Sequence, residues 1–139
     1  MEDDFYALLA GHVPLTTLVA ANKITPSNYA QGVAGTVIRY QVIDGATGLH
    51  MRGSDGLTSS LMQIDIRAGG VAAVKAVRAV LIGVHGTGGL LHPYRGIVGD
   101  TQFKVINLRS DRGIRHEKPG SQDFYTASLD FDIWSRAAA

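Results

Sequence analysis

The fold is decided by Tyr125-Thr126-Ala127-Ser128-Leu129-Asp130-Phe131-Asp132-Ile133-Trp134, a stretch near the carboxyl end of the chain. Apolar and polar residues alternate along it, which is the period of a β-strand with one buried face and one polar face. Asp130 and Asp132 therefore share the polar face of this predicted strand, about 6.5 to 7 Å apart.

Two earlier stretches alternate in the same way and predict two more strands. Residues 36–44 place Ile38, Tyr40 and Val42 on one side, and residues 57–67 do the same with Met62, Ile64 and Ile66. The pair is predicted to form an antiparallel hairpin. Its loop, residues 45–56, is longer than the two to five residues that hairpins typically use, so we expect the loop to make contacts.

Helices are predicted before and between these strands. Negative charge at Glu2, Asp3 and Asp4 suits the first turn of a short helix that ends at Gly11, and Pro14 suits the first turn of a second. Residues 71–84 carry an apolar stripe at helical spacing, formed by Val71, Val74, Val77, Leu81 and Val84.

The remaining segments are one strand and two loops. Residues 83–99 are punctuated by glycine and predict a long loop, and residues 110–120 predict a charged turn. Between them, residues 101–109 predict a strand whose apolar phase shifts, as at a β-bulge. Together the elements predict a single α+β domain over residues 1–139, with an antiparallel, possibly mixed, four-stranded sheet and helices packed on one face.

Composition excludes several classes of protein. Of the 139 residues 45% are hydrophobic, which argues against a disordered chain, and Lys75 and Arg78 interrupt the longest apolar stretch, which argues against a membrane span. The acidic start is unlike a signal peptide, and the lack of cysteine excludes disulfides and thiolate catalysis. We expect a protein made in a cytoplasm, with no membrane partner.

No motif predicts a catalytic, cofactor-binding or metal-binding residue. The glycines at 83–89 lack the frame of a phosphate-binding loop, and Ser54 does not lie in a nucleophile elbow. None of the histidines, at positions 12, 50, 85, 92 and 116, has the spacing of a helical metal site. Asp130 and Asp132 have the spacing of some acid/base pairs, although ordinary solvation of a strand explains them as well.

One basic concentration is present, formed by Lys104, Arg109, Arg112, Arg115, His116 and Lys118. These side chains are able to bind nucleic-acid phosphates independently of base sequence. Stacking on single-stranded bases is not indicated, because no aromatic residue is interleaved among them. A solvated turn and a patch that meets an acidic protein neighbour are the other interpretations.

Three stretches together resemble the tail-completion or tail-terminator family of long-tailed bacteriophages and related gene transfer agents. They are Phe5-Tyr6-Ala7-Leu8-Leu9 in the first helix, Leu61-Met62-Gln63-Ile64-Asp65-Ile66-Arg67-Ala68 with the helix after it, and the final strand through Trp134. The most specific pieces are Gln63-Ile64-Asp65 and Ser128-Leu129-Asp130-Phe131.

This resemblance implies a virion structural protein, not an enzyme. It implies a homohexameric ring that caps the tail tube at its head-proximal end and joins it to the head connector, with DNA passing through the ring. The partners would be further copies of the chain, the tail tube protein and the connector or stopper protein. We expect His50, Met51 and Arg52 in the hairpin loop to contact a neighbouring protein. We expect the basic run Arg109, Arg112, Arg115 and Lys118 to face either the lumen or a ring neighbour.

Two alternatives stay open. One is another head-to-tail connector subunit of the virion. The other, of a different class, is a small homo-oligomeric α+β enzyme or ligand-binding domain in which Asp130, Asp132 and a loop histidine form a pocket.

Overall fold

The structure is a computed structural model, and it describes residues 1–28, 35–50, 53–83, 89–117 and 123–138. Three α-helices and six strands follow one another, with a short 3-10 helix at Ala21–Lys23. The helices are α1 (Glu2–Ala10), α2 (Val13–Thr16) and α3 (Val71–Ile82), and the strands are β1 (Ile24–Pro26), β2 (Val37–His50), β3 (Gly53–Ala68), β4 (Tyr94–Val98), β5 (Thr101–Glu117) and β6 (Phe124–Ala137).

All six strands belong to one sheet, in the order β1-β2-β3-β6-β5-β4, which curves into a half-barrel. β1 pairs parallel to β2, and the other neighbours are antiparallel. The long central strands carry the alternation seen in the sequence, so Ile64 on β3 and Leu129 on β6 lie opposite each other and point into the core.

The core lies between the helices and one face of the sheet. Phe5 and Leu9 of α1, and Val77 and Leu81 of α3, are buried there against apolar side chains such as Phe131 of β6. α3 contains several valines, which are poor helix formers, so docking on the sheet stabilises it more than helix propensity does. Among the described residues no helix is long and apolar enough to cross a membrane.

The three predicted helices are confirmed. α3 ends at Ile82 and is followed by Gly83, whose φ of 82° disfavours any residue with a side chain, while Val84 of the predicted stripe lies outside the described residues. The predicted bulge in β5 is confirmed as well, because the register with β6 shifts between Phe103 and Val105 and again between Leu108 and Ser110.

The predicted fold class is wrong. The sheet has six strands in place of four, and the described strands make up about half of the chain, so few helices accompany it. The sheet is mixed, which the prediction left open. The predicted loop over residues 83–99 contains β4, and β1 occupies a segment predicted to be irregular. Both strands are short, with three and five residues, and too short to show a clear alternation.

Two predicted loops are also wrong. The charged turn at residues 110–120 is strand β5 as far as Glu117, and much of the hairpin loop at residues 45–56 belongs to β2 and β3, which pair as far as His50 and Gly53. In β5 the charged side chains Arg109 and Arg112 lie on the polar face of a strand and pair with carboxylates of β6. In the sequence alone, such a run of charged residues has the composition of a turn.

Candidate interaction surface

The face of the sheet opposite the helices is here called the open face. It carries the residues that alternate with the core positions, such as Arg39 on β2, Asp65 on β3 and Ser128 on β6. No described helix packs on it, since the buried side chains of α1, α2 and α3 all belong to the core on the other side. The polar and charged residues of three long strands therefore meet there.

A hydrogen-bonded cluster around Asp65 occupies the middle of the open face. Asp65 is 1% exposed, and it accepts hydrogen bonds from Arg39 Nε at 2.6 Å and from Ser128 Oγ at 2.6 Å. Gln63 Nε2 donates to the same carboxylate at 3.0 Å, and Arg115 donates to Ser128 Oγ at 3.1 Å. The cluster links β2, β3, β6 and β5 by their side chains.

The pKa of Asp65 is lowered. Burial by itself would raise that pKa, but the hydrogen bonds from Ser128, Gln63 and Arg39, together with the positive charge of Arg39, outweigh it. Asp65 is therefore a buried, charged carboxylate that is held by donors on neighbouring strands, and its arrangement is that of a structural tie rather than of a proton donor.

Three of the residues in the predicted basic run lie on β5 and are paired within the chain. Arg109 pairs with Asp132 at 3.3 Å, Arg112 with Asp130 at 2.8 Å, and Arg115 with Glu117 at 3.6 Å. Lys118, the fourth residue of the run, lies outside the described residues. The pairing means that carboxylates offset the positive charge of the run on its own surface.

Asp130 and Asp132, which one alternative placed in a pocket, are the acidic partners of this run. Asp130 also accepts a hydrogen bond from Ser110 Oγ at 2.8 Å. Of the loop histidines, His85 lies outside the described residues, and His92 Nδ1 accepts the backbone N–H of Leu108 at 2.9 Å. The described residues bring no histidine to these two aspartates, and they contain no group of three or more histidine, aspartate or glutamate side chains able to hold a metal.

A second ion-pair group lies beside the cluster, toward the end of β5. Arg67 pairs with Glu117 at 3.1 Å and stacks over the ring of Phe124, whose centroid is 4.9 Å from the guanidinium carbon. Between Arg67 and Arg115 lies Thr126, which is 2% exposed and whose Oγ1 has no hydrogen-bond partner. The open face is thus a lattice of matched charges rather than a uniformly basic surface.

A two-stranded arm extends from this sheet. β6 pairs with β3 only as far as Thr58, opposite Ser135, whereas β2 and β3 continue to pair beyond that point. We call residues 48–50 and 53–57 the hairpin arm. At about 3.3 Å per residue it reaches about 17 Å beyond the last β6 pair. Of the predicted contact residues, His50 is in the last pair, opposite Gly53, while Met51 and Arg52 lie outside the described residues.

An open cleft of about 510 Å³ lies at the end of the sheet where α1 begins. Asp3, Asp4 and Asp100 line it together with Arg136. Thr101 Oγ1 donates to Asp4 at 2.6 Å, which joins α1 to β5, so part of this acidic lining is used to dock the first helix.

No family model matches the chain, and no curated protein matches it. Its fold is similar to that of a chain from the virion of a native gene transfer agent particle. The two chains have 16% sequence identity, and their structures match with a TM-score of 0.65. The match covers 94% of this chain and 90% of the other. At this level of identity the likeness shows a shared fold.

Part of this surface was predictable from the sequence. Gln63, Asp65 and Ser128 belong to the stretches that carry the resemblance, and the structure brings these three into one cluster. Arg39 was not predicted, because its only signal was its polar phase in the first long strand. Leu61 and Trp134 also belong to the stretches that carry the resemblance, but the sequence does not indicate that they and Val105 are neighbours on the open face.

Proposed function

We propose that this chain is a virion structural protein of the tail-terminator type. In this proposal six copies form a ring that caps the finished tail tube at its head-proximal end and joins it to the head connector. DNA passes through the ring without sequence-specific binding. The observation that carries the proposal is the fold, which is similar to a chain of a gene transfer agent virion over 94% of the residues here.

The hairpin arm supports the role of a connecting subunit. An isolated two-stranded ribbon is marginally stable in water, so an arm that leaves its sheet is best stabilised by a partner. Its last described pair contains His50, which Met51 and Arg52 follow in the sequence, and we assign these three residues to contact with the tail tube or a neighbouring subunit. The length of the arm allows contact with a protein that does not touch the main sheet.

The basic run fits a ring neighbour better than the lumen. A lumen that attracts phosphates needs cations whose charge is not already offset, whereas Arg109 and Arg112 pair with Asp132 and Asp130. We assign Arg109, Arg112 and Arg115 to a surface between subunits. Lys118 belongs to the same proposal through its place in the sequence.

Electron microscopy of the purified protein tests this function. Closed rings with a central hole are expected, and addition of tail tubes assembled from the tube protein of the same particle should place one ring at one end of each tube. Compact single copies at all concentrations, with or without tubes, would contradict the proposal. Rings that bind isolated connectors but never tubes would show the other connector role.

A variant in which Arg112 and Arg115 are both glutamine tests the assignment of the basic run. If the run lies between subunits, rings of the variant should be fewer at a given protein concentration. If it lines the lumen instead, ring yield should be unchanged and the particles should retain less DNA.

A further inference from the structure

A band of apolar side chains crosses the open face, outside the core. Val105 of β5 lies directly opposite Trp134 of β6, and Leu61 of β3 is diagonal to Trp134, since its own partner is Asp132. Ile43 of β2 lies in the bulge beside the partner of Leu61. Directly opposed and diagonal neighbours on one face of a sheet are within reach of large side chains. We call Ile43, Leu61, Val105 and Trp134 the apolar band.

The band is accessible to a partner. Ile43 is 50% exposed and Trp134 is 39% exposed, and none of the four side chains is part of the core or packed against it. Half-exposed tryptophan next to other apolar side chains is typical of the centre of a protein interface, where tryptophan contributes a large share of the binding energy. Paired charges such as Arg109 and Asp132 lie beside it, as in the polar rim of such an interface.

The band carries positive charge at its β5 end. Lys104 is exposed in the bulge next to Val105, whereas Asp132 offsets the charge of Arg109 beside it. The helical side of the same molecule has the opposite character. Residues 1–22 contain no lysine or arginine, and Glu2 and Asp3 of α1 are exposed there.

Exposed apolar residues of the helical side follow the other end of α1. Val13 is 71% exposed and Leu18 is 42% exposed, in and just after α2, which packs on α1. We call Glu2, Asp3, Val13 and Leu18 the helical patch. An apolar and acidic patch on one side and an apolar and basic band on the other are complementary, and they cannot meet within one molecule because they lie on different faces of the sheet.

We propose that the apolar band of one copy of this chain binds the helical patch of a second copy. This inference rests on the proposed function and names the surfaces that would join the subunits. A contact between two different patches leaves each patch free on the outer copies, so it continues from copy to copy until a ring closes.

Trp134 reports on this contact directly, because it is the one tryptophan of the chain. Assembly is followed by sedimentation over a range of protein concentrations, and the emission and acrylamide quenching of Trp134 are measured in the same samples. The expected result is a blue shift and reduced quenching that follow the assembled fraction. Assembly without any change at Trp134 overturns the inference and leaves the proposed function intact, whereas absence of assembly contradicts the proposed function itself.

Charge reversal tests whether two different patches meet. Lys104→Glu on the band and a double variant, Glu2→Lys with Asp3→Lys, on the helical patch should each raise the concentration for half-assembly about tenfold. An equal mixture of the two variants should assemble better than either alone, because each forms one contact with restored charge pairing. Failure of the mixture to exceed both variants overturns the inference.

Two matched controls separate these effects from folding. Lys75→Glu makes the same charge change on the exposed side of α3, and Ile97→Thr removes an exposed apolar side chain from β4. Neither residue belongs to the two patches, so both variants should assemble like the parent, while Trp134→Thr should not. If Lys75→Glu and Ile97→Thr impair assembly as strongly as Lys104→Glu and Trp134→Thr, the band is not the contact.

Discussion

Asp65 is the residue on which the organisation of the open face depends. It is buried, charged and reached by donors from three side chains, one of which, Arg39, lies on the neighbouring strand and another, Ser128, on β6. A buried carboxylate without such donors would be strongly destabilising, and with them it fixes how these strands face one another. Its energetic role is therefore seen best when the charge is removed and the shape is kept.

Substitution Asp65→Asn should lower the free energy of unfolding by about 2 kcal/mol, because Arg39 and Ser128 lose a charged acceptor. Urea unfolding measures the change through the shift in midpoint. The matched control is Asp132→Asn, which removes an exposed partner of Arg109 and should cost less than about 1 kcal/mol. Equal effects of the two substitutions would show that the buried hydrogen bonds of Asp65 add nothing to the free energy of unfolding beyond what an exposed ion pair adds.

The same carboxylate predicts how stability depends on pH. Because hydrogen bonds and Arg39 lower the pKa of Asp65 in the folded protein, the unfolded chain takes up this proton at a higher pH than the folded chain does. The stability from Asp65 is complete above the ordinary pKa of 3.8 and is lost as the pH falls through the lowered value. Urea unfolding from pH 6 down to pH about 2.5 should therefore show the parent approaching Asp65→Asn in stability. A constant difference across this range would contradict the assignment.

Among the elements, the hairpin arm is set apart by its pairing. From Thr58 onward β3 pairs with β2 on one side and with β6 on the other, but in the arm the described strands β2 and β3 pair only with each other. The strand pairing of the arm therefore does not include β6, and we expect the arm to be separable from the rest of the sheet by mutation.

Replacing residues 48–57 with Asn-Gly, a pair suited to a tight hairpin turn, should leave the chain folded with a melting temperature within a few degrees of the parent. Attachment to tail tubes should be lost if the arm makes that contact. Calorimetry and electron microscopy of mixtures with tubes measure the two properties separately. Unchanged attachment by a folded variant would remove the arm, and with it His50, Met51 and Arg52, from the contact.

Individual elements also show which parts of the fold the sequence could predict. β6 and α3 were recognisable because each keeps its period over ten residues or more, with core positions such as Leu129 and Val77 at regular spacing. β5 was recognisable only to Arg109, because three bulges reset its period and Arg112 and Arg115 then suggested a turn. Arg112 pairs with Asp130 of β6 and Arg115 donates to Ser128 of β6, and no local pattern could indicate these partners.

At the scale of the whole molecule, the proposed ring makes stability depend on concentration. Any assembly that binds the folded chain and not the unfolded chain stabilises it by mass action. The melting temperature should therefore rise with protein concentration in the parent and stay nearly constant in Trp134→Thr. Calorimetry at protein concentrations that span a hundredfold measures this. A parent whose melting temperature does not change over that range would contradict assembly in solution.

The candidate surface was less predictable than the fold because it is a property of the whole sheet. Ile43, Leu61, Val105 and Trp134 come from four strands, and each taken alone is an ordinary apolar residue in an otherwise polar phase. Only the register of β2, β3, β6 and β5 shows that they are neighbours. The sequence resemblance implies a type of assembly, and the register shows which residues of the proposed surface are neighbours.

The matched charges of the open face have a consequence inside a living cell. Ribosomal and messenger RNA are abundant there and bind exposed arginine readily, but an RNA phosphate that approached Arg109 or Arg112 would have to displace Asp132 or Asp130 first. These two arginines are therefore expected to bind RNA weakly even where solvent reaches them.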